Sequence, residues 1–169
     1  LFTHVVNVAM LALIIGRQLK LSEDELKDLG LAALLHEIGM TKLEYSIYDH
    51  NSQLSKEEWE EVKRHPGYSV ELLQNSGSFS EKVLTGIMDH HERLDGSGYP
   101  LHKHGPNICY FAKIIAVADV YDACISRRKY RKPLTPRQAL KNLLGHSQLF
   151  DLEILRAFVS AMAIYPIGS

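Results

Sequence analysis

Apolar residues recur along this chain at spacings of three and four, the period of a helix that buries one face. The pattern is clear in residues 2–14, 26–35, 108–126 and 152–162. No run alternates between apolar and polar residues with period two over more than a few positions, as a half-buried strand requires. The pattern therefore predicts an all-α protein, folded as a single-domain bundle of about six to eight helices.

Capping signals mark where three helices begin. Ser22 followed by Glu25, and Ser55 followed by Glu58, are capping boxes, in which each side chain bonds to the other residue's backbone N–H. Thr135 precedes a proline, which suits the first position of a helix because it lacks an N–H. We therefore expect helices to start directly after these three capping residues.

The predicted ends of three helices carry histidines. The first of these helices reaches His36, with Gly39 marking its end. The second should stop near His65, because Pro66 disfavours helical geometry in the residue before it. The third ends at about His91. Each of the three helix ends thus presents a histidine for a common site.

These histidines stand next to other metal-binding groups. Glu37 follows His36, His90 precedes His91, and Asp119 lies in the apolar helix, where an unpaired carboxylate is unfavourable. Neighbouring helix residues point about 100° apart, so one adjacent pair can serve two ions side by side. The pattern predicts a two-metal centre, which suits hydrolysis of a phosphoester. Iron, manganese, zinc and nickel all fit these ligands, and phosphatase, phosphodiesterase and nuclease activities fit equally well.

Composition excludes several other classes of protein. The 169 residues carry 19 Lys and Arg against 20 Asp and Glu, and a net charge of −1 argues against binding DNA or RNA through their phosphates. The two cysteines fit a reducing compartment rather than a disulfide scaffold. No apolar stretch approaches the roughly 20 residues that span a bilayer. The first apolar stretch has no basic leader before it, which argues against a signal peptide and favours the cytoplasm. The chain begins at Leu1 rather than Met, so we interpret it as a fragment of a longer chain.

One segment is a specific signature. The string HHERLDGSGYP at residues 90–100 resembles the motif of the HD-GYP family of metal-dependent phosphodiesterases. Further pieces in the family's order are LHEIG at 35–39, HPG at 65–67, ADVYDA at 118–123, SRRKYR at 126–131 and FD at 150–151. The resemblance covers the chain from His4 to about Ser169. It implies an HD-type helical fold across residues 1–169, preceded in the same protein by a sensor or receiver domain.

The resemblance also implies an activity and a metal site. Members of the family hydrolyse the bacterial second messenger cyclic di-GMP to pGpG, and in some cases to GMP. They use two or three divalent ions, most often iron or manganese. Glu37 and Asp119 would position the attacking water as well as bind metal. Carried over by position, the metal ligands would be His4, His36, Glu37, His65, His90, His91 and Asp119.

Other positions match the family's contacts to substrate and partners. Arg128 and Arg131 would bind substrate phosphate, a role that suits the bidentate guanidinium group. The Gly98-Tyr99-Pro100 turn would shape the site and the surface that meets GGDEF-domain partners.

Two residues depart from the family pattern. The chain has Glu37 where the family has aspartate, and Met40 where it has lysine. Glutamate keeps the ligand type but moves its carboxylate by roughly one C–C bond, and methionine offers neither charge nor a donor. Three functions therefore stay open: a cyclic di-GMP phosphodiesterase, a receptor or scaffold that binds cyclic di-GMP or a GGDEF protein without cleavage, and a phosphodiesterase for another cyclic dinucleotide.

Overall fold

The computed structural model describes residues 2–44, 54–126 and 132–164 of the chain. These residues form eight α-helices and three short 3-10 helices, and they include no β-strand. The α-helices are α1 (Phe2–Gln18), α2 (Glu23–Leu35), α3 (Lys56–Val62), α4 (His65–Ser76), α5 (Glu81–Asp89), α6 (Tyr110–Ile125), α7 (Pro136–Gly145) and α8 (Leu152–Ile164), and the 3-10 helices are Ile38–Lys42, Gly105–Asn107 and Ser147–Leu149. None of these helices is long and apolar enough to cross a bilayer. The prediction of an all-α fold with about six to eight helices is confirmed.

The strongly apolar helix α6 forms the centre of the fold. It packs against α1, α2, α5, α7 and α8, and most of its residues are buried. Around it lie fully buried side chains from the neighbouring helices, such as Ile15, Leu29 and Ile87. Burying an aliphatic side chain of this size contributes roughly 1.5–3 kcal/mol. Because Asp119 also lies on α6, the helix that organises the core carries a carboxylate into the interior.

Three helices start where their capping residues predict. Each of Ser22, Ser55 and Thr135 accepts a hydrogen bond from the backbone N–H three residues further on, and the side chain there bonds back to the cap's own N–H. These bonds satisfy N–H groups that the first turn of a helix leaves without partners.

The prediction that His65 ends a helix was wrong. Helix α3 already ends at Val62, and His65 is the first residue of α4. Pro66 therefore lies in the first turn of α4, where its missing N–H is not needed. Gly39 also differs from the expectation, since it lies inside the 3-10 helix Ile38–Lys42 rather than just past the end of α2. A Cβ at Gly39 would clash with the His65 carbonyl, so the glycine allows this segment to pack tightly against α4.

Candidate metal centre

Histidines and carboxylates from five parts of the chain converge in two clusters. In each cluster every side chain offers one ligand atom, and these atoms all lie within 4.8 Å of one another. The four-residue cluster consists of Glu37, His65, His90 and His91, and the three-residue cluster of His4, His36 and Asp119. The structure therefore brings together all seven residues that the family resemblance assigns as metal ligands.

Helix ends orient three of the histidines. His36, His65 and His90 each donate an Nδ1–H to the carbonyl three residues earlier, at 2.6–2.8 Å. Those carbonyls belong to the last turns of α2, α3 and α5, where no intrahelical N–H remains to bond them. Because a carbonyl can only accept, the proton lies on Nδ1, and the neutral ring presents the Nε2 lone pair to the clusters.

The Nε2 atoms have the surroundings expected of metal ligands. His36 Nε2 is buried without a hydrogen-bond partner among the described residues. The Nε2 atoms of His65 and His90 face each other at 3.2 Å. An unsatisfied buried polar group costs about 1–3 kcal/mol, and a divalent cation would satisfy these lone pairs. Imidazole and carboxylate donors fit iron, manganese, zinc or nickel.

Burial keeps these imidazoles in the form that binds metal. It lowers the pKa of His36 to about 4 and also lowers the pKa values of His65, His90 and His91. A pKa below the ordinary 6.5 of histidine leaves the ring neutral at pH 7. The four rings are therefore ready to coordinate without first losing a proton.

Glu37 lies between the two clusters. Its Oε1 atom is 3.7 Å from His65 Nε2 and 3.8 Å from His36 Nε2. The adjacent residues His36 and Glu37 thus belong to different clusters, as the angular spacing of helix residues predicts for a two-metal site. His90 and His91, in contrast, belong to the same cluster.

Asp119 also reaches both clusters. Its Oδ1 atom is 3.1 Å from His4 Nε2, and its Oδ2 atom is 3.9 Å from His91 Nδ1. Burial raises the pKa of Asp119, but the His4 hydrogen bond and the surrounding histidines outweigh burial and hold that pKa below its usual range. The carboxylate is therefore ionised and would be available to hold a cation.

Asp122 also supports the site, although only Asp119 of the two aspartates in this apolar helix is assigned a role from the sequence. Its Oδ2 atom lies 2.7 Å from His4 Nδ1 and accepts a hydrogen bond from Ser126, while its Oδ1 atom accepts one from Asn7. A carboxylate behind a ligand histidine fixes the ring's orientation and raises its basicity. The spacing could have indicated this role, because Asp119 and Asp122 are three residues apart and share one face of α6.

The Gly98-Tyr99-Pro100 turn lies against the four-residue cluster. The Tyr99 ring centroid is 4.6 Å from that of His91, and the Tyr99 N–H donates to the His91 carbonyl at 3.3 Å. Gly98 is buried, and a Cβ there would clash with the His91 carbonyl. Pro100 follows Tyr99 through a cis peptide bond and is half-buried. The turn thus contacts the four-residue cluster, and its role in substrate binding stays a prediction.

Two buried carboxylates that sequence reasoning missed hold this turn in place. Glu92 accepts hydrogen bonds from the N–H groups of Leu101 and Lys103, at 2.6 and 3.0 Å. Both carboxylate oxygens of Asp89 lie 2.8 Å from the ammonium group of Lys103. Because Asp89 and Glu92 flank the His90-His91 pair, the turn and the ligands are tied to the same short segment.

Arg128 and Arg131 lie outside the described residues, so their assignment to substrate phosphate stays a prediction. Met40 is described, and it is half-buried in the 3-10 helix that follows α2.

The sequence profile of the HD domain family matches residues 1–154. The chain therefore belongs to the HD domain family. The motif-based resemblance to the HD-GYP phosphodiesterases is likewise confirmed by the relatives that the chain matches.

Two curated relatives align along almost the whole chain. One is a cyclic di-GMP phosphodiesterase of Pseudomonas aeruginosa, 36% identical over 168 residues that cover 99% of this chain and 41% of that protein. Another is 3'3'-cGAMP-specific phosphodiesterase 3 of Vibrio cholerae, 34% identical over 168 residues that cover 96% of this chain and 35% of that protein. The chain thus spans less than half the length of these relatives.

A solved structure has the same fold. An HDG"Y"P protein from Bdellovibrio bacteriovorus superposes with a TM-score of 0.78 at 21% identity, covering 96% of this chain and 52% of the other. The expectation of an HD-type helical fold is confirmed.

Proposed function

We propose that this domain is a metal-dependent phosphodiesterase that hydrolyses cyclic di-GMP. The observation that carries the proposal is the pair of ligand clusters, which the carboxylates of Glu37 and Asp119 both reach. Two divalent ions bound there would supply Lewis-acid polarisation of the phosphodiester and lower the pKa of water. The similarity to a cyclic di-GMP phosphodiesterase over 99% of the chain supports the choice of substrate.

The residues of the site have three roles: binding metal, orienting water and binding phosphate. His36, His65 and His90 hold position through their backbone bonds and present Nε2 as a ligand atom. The carboxylates of Glu37 and Asp119 orient the attacking water and accept its hydrogen bonds. Arg128 and Arg131 bind the substrate phosphates by paired N–H donors.

The finer assignments follow from the family resemblance. The product is pGpG, with further hydrolysis to GMP as an additional step. The ions are two or three in number, with iron or manganese preferred and zinc or nickel as substitutes. The domain works in the bacterial cytoplasm, attached to an N-terminal sensor or receiver domain, and meets GGDEF-domain proteins through the Gly98-Tyr99-Pro100 turn.

An anaerobic turnover assay tests the proposal. Protein loaded with ferrous iron, and separately with manganese, is incubated with cyclic di-GMP, and the products are separated by chromatography. We expect pGpG or GMP, and we expect His91→Ala to abolish the product because it removes a ligand. Occupied metal sites without any product would overturn the enzyme assignment.

The second candidate function, a receptor that binds cyclic di-GMP without cleaving it, rests on Glu37 and Met40. The variant Glu37→Asp distinguishes the phosphodiesterase from the receptor. If the site is built for glutamate, the shorter side chain withdraws the carboxylate by more than 1 Å, and we expect turnover to fall by on the order of 10²-fold. Turnover that instead rises in Glu37→Asp would identify the native site as impaired. Competition between cyclic di-GMP and 3'3'-cGAMP in the same assay tests the choice of dinucleotide.

A further inference from the structure

An exposed tryptophan stands beside the four-residue cluster. Trp59, in α3, is 46% exposed. Its ring centroid is 6.0 Å from that of Tyr99, with an angle of 78° between the rings. Tyr99 in turn lies 4.6 Å from the His91 ring, at 32°. Two ring contacts therefore lead from solvent, through Trp59 and Tyr99, to a candidate metal ligand.

Packing into the core does not explain this tryptophan. Of the residues of α3, only Val62 is buried, so the helix contributes little to the core. Tryptophan is highly buried on average in folded proteins, and an indole left nearly half in solvent beside a site is a common binding feature. The position of Trp59 is therefore better explained by a ligand than by stability.

The charges around Trp59 indicate which part of a nucleotide could approach it. Glutamates occupy the two positions on either side of it. Glu60 pairs with Lys63 at 2.7 Å and Glu61 with Arg64 at 3.1 Å, and the four glutamates of residues 56–64 exceed the three basic residues of that segment by one charge. A phosphate finds no excess of positive charge there, whereas a nucleobase carries no net charge and has a flat face suited to stacking.

We propose that the indole face of Trp59, beside the nearly perpendicular ring of Tyr99, is the aromatic surface on which a nucleobase of the substrate stacks while its phosphodiester lies at the metal centre. This inference rests on the proposed function, and it names the residues that position the base. Base–aromatic stacking tolerates every base, so the surface favours dinucleotides over small diesters without choosing between guanine and adenine.

Steady-state kinetics of three variants test the proposal. In Trp59→Ala we expect KM for cyclic di-GMP to rise by about 5- to 150-fold, the loss of one stacked base, with kcat little changed. Trp59→Phe keeps an aromatic face and should retain most of the affinity. Tyr110→Ala is the matched control, because Tyr110 is 38% exposed and lies nine residues before Asp119, about 13 Å along α6.

Fluorescence gives a second readout that does not depend on turnover. Trp59 is the single tryptophan of the chain, so its emission reports directly on this position. We expect cyclic di-GMP, and equally cyclic di-AMP, to quench the emission, whereas dimethyl phosphate, a diester without a base, should leave it unchanged.

The outcomes separate this inference from the proposed function. Product formation without quenching, or a KM in Trp59→Ala equal to that of Tyr110→Ala, would overturn the stacking surface and leave the enzyme assignment intact. Quenching without product would support the surface and overturn the enzyme assignment. If the metal-loaded protein does not cleave cyclic di-GMP and its Trp59 emission is not quenched, both the stacking surface and the enzyme assignment are overturned.

Discussion

The two ligand clusters differ in one respect: only the three-residue cluster contains a histidine that a side chain orients. In the four-residue cluster, His65 and His90 are oriented by main-chain carbonyls at the ends of helices. In the three-residue cluster, His36 has a main-chain anchor of the same kind, but His4 is oriented by the side chain of Asp122, which Asn7 and Ser126 hold in turn. A main-chain anchor persists through any substitution that preserves the helix end, whereas a side-chain anchor depends on one residue. Substitutions outside the ligands should therefore change the metal affinity of the four-residue cluster little, whereas substitution of Asp122 should change that of the three-residue cluster.

The largest effect on metal content and turnover should come from removing a ligand of the four-residue cluster. In His90→Ala we expect loss of the ion from the four-residue cluster and a fall in turnover of more than about 100-fold, because removing only a supporting residue already costs 10–100-fold. Metal content per chain and product formation measure both effects.

His146→Ala is the control for that variant. His146 follows α7 and also bonds a main-chain carbonyl through Nδ1, at 2.9 Å, but it is exposed and belongs to neither cluster. Both its metal content and its turnover should match the parent. Two retained ions and parental turnover in His90→Ala would remove His90 from the site.

A smaller and more selective effect is expected from Asp122→Asn. The variant keeps the shape of the side chain but removes the charge behind His4, so above about pH 9, where no proton on His4 competes, the affinity of the three-residue cluster should fall by about 10- to 100-fold. The four-residue cluster should keep its affinity, and a titration with manganese should resolve the two steps. Asp24→Asn, which alters an exposed aspartate paired with Lys27, serves as the control. Equal weakening of both steps would contradict the division between the clusters.

The clusters should also respond differently to pH. Burial lowers the pKa of His4, but hydrogen bonds and charge from Asp119 and Asp122 outweigh it and raise that pKa to about 9, so the ring is protonated at pH 7. An ion at the three-residue cluster must displace this proton, and its affinity should rise by about tenfold from pH 7 to pH 8 and level off above about pH 9.

The four-residue cluster provides the internal comparison for that pH dependence. Its histidines have lowered pKa values and are neutral across the same range, so its affinity should stay nearly constant. Manganese titrations at pH 7, 8 and 9 measure both trends. A parallel rise in both affinities would show that the proton does not come from His4.

Local patterns predicted much of this architecture. Helical periodicity and capping boxes gave the class of fold and several helix starts, because both depend on residues three or four apart. The same local logic placed His36 and His90 at helix ends. It failed at His65, because Pro66 is compatible both with stopping one helix and with starting the next.

The supporting contacts of the site could not be predicted in the same way. The pairing of Asp122 with His4 joins residues 118 positions apart, and the contacts of Glu92 with Leu101 and Lys103 depend on the path of an irregular loop. Neither contact follows a fixed spacing. The family motif named the candidate ligands, but only the folded chain reveals which carboxylates support them.

The main-chain anchors of His36, His65 and His90 affect whether the protein folds before or after it binds metal. Zinc fingers fold only as they bind metal, since their ligands are disordered without it. Here the rings are aimed as soon as the helices form, and an apolar core around α6 stabilises the helices without any ion. We therefore expect folding and metal acquisition to be separable steps. A newly made chain is expected to fold empty, and the metals available afterwards in the cell then decide which ions it carries.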